Sequence, residues 1–122
     1  MPRIWPRLSG IQDVDTLATE TTVSDEIDTS TASPPVTVVT PSSGRRIDTR
    51  SVYLASDSTG GKVVAKYRDS GKILGVIYCS KFAIIPLDSI RKTGDVGEPI
   101  VIDWSDLDTG AKIYYAIRYK EL

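Results

Sequence analysis

No histidine occurs in the 122 residues. That removes Ser-His-Asp and Cys-His catalysis, imidazole metal ligands and the usual general base near neutral pH. One cysteine, Cys79, is present, so neither an intramolecular disulfide nor a cysteine metal cluster can form. It lies in an apolar stretch, where a small buried hydrophobe is the expected role. No apolar run approaches the roughly 18 residues a helix needs to cross a bilayer. The opening MPRIWPRL is basic but lacks the apolar centre of a secretory signal, so synthesis in the cytoplasm without export by that route is expected. No basic run exceeds Arg45-Arg46 or Arg91-Lys92, which argues against nucleic acid as a partner.

The fragments that resemble chemical motifs are incomplete. Gly60-Gly61-Lys62 lacks the Gly-x-x-x-x-Gly-Lys-Ser/Thr pattern of a phosphate loop and precedes a strand, so it reads as a turn. Asp103, Asp106 and Asp108 are the tightest acidic cluster, but the twelve-position calcium loop with its central Gly and closing Glu is absent. A solvated turn is the expected role. Carboxylate-pair hydrolysis would need two acids held across a cleft. The expectation is a non-enzymatic protein with no cofactor and no metal.

What is present divides in two. Residues 1–43 carry two basic and six acidic residues, for a net charge of −4. Residues 44–122 carry thirteen basic and ten acidic residues, for a net of +3. An acidic segment could lie along its own body or along a basic neighbour, or its charge could serve solubility alone. Residues 1–35 read as an extended arm and linker. Ser, Thr, Asp and Glu dominate from Ser9 to Ser33, the helical pattern at Ile11, Val14, Leu17 and Ala18 is isolated, and Pro34-Pro35 favours extended geometry. The arm's tip is apolar: Ile4, Trp5 and Leu8, braced by Pro2 and Pro6. These are candidate partner-binding residues, folding back onto the same chain or anchoring in a neighbour.

From Val36 the period becomes two. Val36–Thr40 is a strand closed by a Pro-Ser-Ser-Gly turn. In Arg45–Ser56, Ile47 sits on the opposite parity to Val52 and Leu54, so a bulge near Thr49 to Ser51 is needed to bring all three to the core. Lys62–Arg68 places Val63, Ala65 and Tyr67 on one face. Lys72–Ser80 is apolar on both faces after an Asp69-Ser70-Gly71 turn. Ala83, Ile84 and Ile85 form a short run ended by Pro86, and Asp88 to Lys92 could add another short strand. Pro99–Trp104 points Ile100, Ile102 and Trp104 one way. Ala111–Lys120 points Ile113, Tyr115, Ile117 and Tyr119 inward and Lys112, Arg118 and Lys120 outward. Residues 36–122 therefore read as one all-β domain, an antiparallel, jelly-roll-like β-sandwich of seven to eight strands. Tyr53, Tyr78 and Tyr114 fall on the parity opposite to the core. They could contact a protein partner or a glycan, or cover a second sheet.

From Pro41 to Leu122 the chain resembles a recurring domain of tailed-phage virion structural proteins, of the head decoration or tail-fibre type. The likeness rests on Gly44-Arg45-Arg46-Ile47, Ser51 to Ser58, Ser70-Gly71-Lys72, Gly97-Glu98-Pro99-Ile100 and the Tyr-rich closing strand. It covers about two thirds of the chain and leaves the arm aside. The resemblance implies a jelly roll in a virion, partnered by the major capsid protein or other virion subunits, and assembled as a trimer. Capsid decoration is the first expectation. A tail, neck or fibre connector and a carbohydrate-binding module are the alternatives.

Overall fold

A computed structural model describes residues 20–79, 85–87 and 92–122. Two antiparallel sheets pack face to face. The first has the order β1 (Thr21–Asp28), β9 (Lys112–Glu121), β3 (Ile47–Ser56), β6 (Ile85–Leu87). The second has the order β2 (Val36–Val39), β8 (Ile100–Ser105), β4 (Lys62–Tyr67), β5 (Ile73–Tyr78). The two-residue β7 (Lys92–Thr93) pairs with β3 beyond β6, so β6 and β7 share one interrupted edge. Successive strands cross between the sheets at β1–β2, β2–β3 and β3–β4, and return pairings set β9 between β1 and β3, and β8 between β2 and β4. The two antiparallel sheets form a β-sandwich, as the alternation implied.

The core follows the two-residue period. Val63, Ala65 and Tyr67 are fully buried on one face of β4, and Ile113 and Ile117 on one face of β9. The anticipated bulge lies between Thr49 and Ser51, where the β3–β9 register shifts. It brings Ile47, Val52 and Leu54 together in the core despite their opposed parity. Cys79 is buried as expected, and burial pushes its thiol above the ordinary range, which keeps it protonated.

Several local expectations change. Thr21–Asp28, assigned to the arm, is a strand paired along its whole length with β9. Val23 and Ile27 turn inward, and Ile27 is buried. Without β1, one side of β9 would carry a row of unpaired backbone groups, which is the physical reason for the pairing. The residues after it are also tied down: Asp28 accepts the Ser30 amide and hydroxyl, and Thr29 Oγ1 donates to the Ala111 carbonyl over 2.6 Å. Pro86 does not end its strand but sits in the middle of β6, opposite Tyr53. β6 is an edge, where a missing N–H costs no ladder bond. Lys120, on the outward parity, is buried. It lies opposite Asp48, whose carboxylate receives Arg50 Nε at 2.9 Å and Thr93 Oγ1 at 3.2 Å.

One end of the sandwich is locked by polar groups. Tyr67 Oη lies 2.8 Å from Thr49 Oγ1, 2.8 Å from the Ile47 carbonyl and 2.6 Å from the Lys92 carbonyl, tying the second sheet to the first. Glu98 is buried and accepts the amides of Asp69 (2.7 Å), Ser70 and Asp95 (2.9 Å). Burial pushes its carboxyl up, but these amides outweigh that and hold it below the ordinary carboxylate range. Gly94 lies between these two side chains. A Cβ there would stand 2.6 Å from the Tyr67 ring.

Candidate functional site

The outer face of the first sheet is built by three strands in register. Ser24 of β1 pairs with Ala116 of β9, which pairs on its other side with Tyr53 of β3. Two residues along, Glu26 pairs with Tyr114, which pairs with Ala55. The tyrosines are diagonal neighbours on one face, close enough for large side chains to share a surface. The small Ala116 leaves a shallow depression of about 470 Å³ between them, edged by Ser24 and Glu26. Tyr53 and Tyr114 remain 38% and 40% exposed, so their rings meet solvent on one side and the sheet on the other.

Charge frames this depression. At one end Lys112 Nζ lies 3.4 Å from Glu26, whose charge raises the Lys112 pKa. At the other end Glu20 sits 3.6 Å from Arg118 Nε and 3.8 Å from Arg50 Nη1. Exposed pairs of this kind contribute little to stability. Their effect is to fix both ends of an otherwise apolar patch.

Tyr78 does not join this surface. It lies opposite Lys62 on the outer face of the second sheet, 62% exposed, with Ile73 opposite Lys66 on the same side. The three candidate tyrosines therefore divide between opposite faces of the sandwich. Ile4, Trp5 and Leu8 lie outside the described residues. Glu26 and Ser24 were missed as site residues because the polar run Ser24-Asp25-Glu26 masked the strand that carries them.

The acidic turn after β8 is committed internally. Asp108 accepts the Thr59 amide at 2.7 Å and hydroxyl at 2.8 Å, and these bonds hold its carboxyl below the ordinary range. Among the described residues no group of three or more His, Cys, Asp or Glu could hold a metal ion. No helix among them is long and apolar enough to cross a membrane.

These features define a class: a small two-sheet sandwich with exposed tyrosines on its two opposed outer faces. Among solved structures the same fold occurs in a chain of the acidic stable capsid structure of Helicobacter pylori bacteriophage KHP30. The TM-score is 0.62 at 11% sequence identity, over 84% of this chain and 87% of that one. Of 122 positions, 84% is about 102, more than the 87 from Val36 onward, so the shared fold takes in chain ahead of Val36. No family model matches the sequence, and no curated protein matches it.

Proposed function

We propose that this chain is a structural protein of a phage virion, a decoration or stabilising subunit that clamps neighbouring capsid subunits. The observation that carries the reading is the fold shared with a chain of the KHP30 capsid. That likeness runs through most of both chains. The exposed tyrosines support it, since aromatic side chains are enriched at interface centres.

Area explains the arm. Four strands about 4.8 Å apart and about eight residues long make a face of roughly 19 by 26 Å, about 500 Å². A standard interface buries roughly 800 Å² on each partner. The face alone falls short, and an N-terminal segment bearing Ile4, Trp5 and Leu8 supplies the difference while raising avidity by linking two contacts.

The test is co-sedimentation with capsids, comparing the full chain with one lacking residues 1–19. The cut must stop there, because removing β1 would strip the β9 edge. The full chain is expected to pellet with particles, and the truncated chain to stay folded but remain in the supernatant. Equal binding by both, or binding by neither, contradicts the reading.

A further inference from the structure

The first described residue stands on the tyrosine face. Glu20 precedes β1 yet reaches across β9 to Arg118 and to Arg50 of β3, so the chain arrives over the outer side of the first sheet. Arg118 pairs with Thr22, two residues along from the Ser24–Ala116–Tyr53 row and four from the Glu26–Tyr114 row. At about 3.3 Å per residue, the depression begins about 7 Å from that point and ends about 13 Å from it.

We propose that the N-terminal segment of the same chain is the occupant of this depression, with Trp5 seated between Tyr53 and Tyr114. The tether fits. Trp5 lies fifteen residues before Glu20, and fifteen residues can reach at most about 50 Å, well beyond the distance to the seat. Such a tether presents its tip at an effective concentration on the order of millimolar, well above a second copy at micromolar levels. The same-chain occupant is therefore favoured over an exchanged one. Charge adds little: the intervening chain carries Asp13 and Asp15 against Arg7, a net of −1, and Arg118 and Lys112 at the ends of the depression already pair with Glu20 and Glu26. Seated, the tip shields its own apolar side chains and the two tyrosines at once. The contact is a latent anchor: the free subunit keeps its adhesive segment covered, and a partner with a better seat draws it out.

Fluorine NMR on the full chain labelled with 5-fluorotryptophan tests this without particles, so it fails or succeeds independently of the virion reading. Two resonances arise, from Trp5 and Trp104, and the Trp5→Phe variant assigns them. The Trp5 signal is expected away from the position of free fluorotryptophan and unchanged on dilution. In the Tyr53→Thr, Tyr114→Thr double variant it should move to the free position while Trp104, which packs against the core, stays in place and reports an intact fold. A Trp5 signal already at the free position, one indifferent to the double variant, or one that shifts on dilution overturns the proposal.

Discussion

Tyr67 and the pair Tyr53 and Tyr114 put one residue type to opposite uses. Tyr67 has no exposed surface, and its hydroxyl meets three oxygens from two strands, β3 and β7. Tyr53 and Tyr114 expose more than a third of their surface, and no hydrogen bond is recorded for either hydroxyl among the described residues. Burying a phenol without partners would cost free energy, so the inner tyrosine is surrounded by acceptors and a donor. The outer pair leaves its hydroxyls and one side of each ring to solvent. If the outer pair meets a partner as proposed, stability and recognition are carried by separate sets of aromatic residues, and substitution should separate them.

The largest stability loss is expected at the frame that supports the inner set. Gly61 has φ +85°, and a Cβ there would lie 2.5 Å from the Asp106 carbonyl carbon. Gly61→Ala should cost about 4 kcal/mol, combining left-handed strain with overpacking against backbone, read from the urea midpoint. Glu98→Gln should cost about 2 kcal/mol at pH 7, because it loses charge-assisted bonds from three amides. The sign with pH follows from the lowered carboxyl. Glu98 contributes fully above its unfolded pKa, about 4.3, and that contribution fades as pH falls through the lower folded value. Urea melts of wild type and variant should therefore draw together as pH falls from about 4.3 through the lower folded value. Tyr67→Phe should cost about 1.5 kcal/mol by leaving buried oxygens unpaired. The outer set should barely register: Tyr53→Thr and Tyr114→Thr keep β propensity and should each stay within about 0.5 kcal/mol, yet weaken particle binding in co-sedimentation. A melt in which the outer variants cost as much as Tyr67→Phe would erase the distinction.

The inner set was largely legible in sequence. Alternation placed Val63, Ala65 and Tyr67 on one face, and the parity conflict among Ile47, Val52 and Leu54 located the bulge. Period-two burial leaves a direct mark on residue order. The outer set was legible one residue at a time but not as a surface. Tyr53, Tyr78 and Tyr114 share an outward parity, yet parity does not say which sheet a strand joins. Pairing between β3 and β9 unites two of them, and β5 carries the third to the opposite side. β1 was hidden because a polar edge strand needs few apolar residues. Only Val23 and Ile27 turn inward, with Asp25 between them. In sequence Glu98 stands out only within Gly97-Glu98-Pro99-Ile100, since nothing local reveals three amides converging on one carboxylate from two loops.

The central claim is that the outer surface exists to hold a virion together. Quantitative mass spectrometry of purified virions encoding this chain tests it most directly. The account predicts the chain in a fixed ratio to the shell subunit, retained through density-gradient purification. Virions purified to the same standard without it would contradict the account.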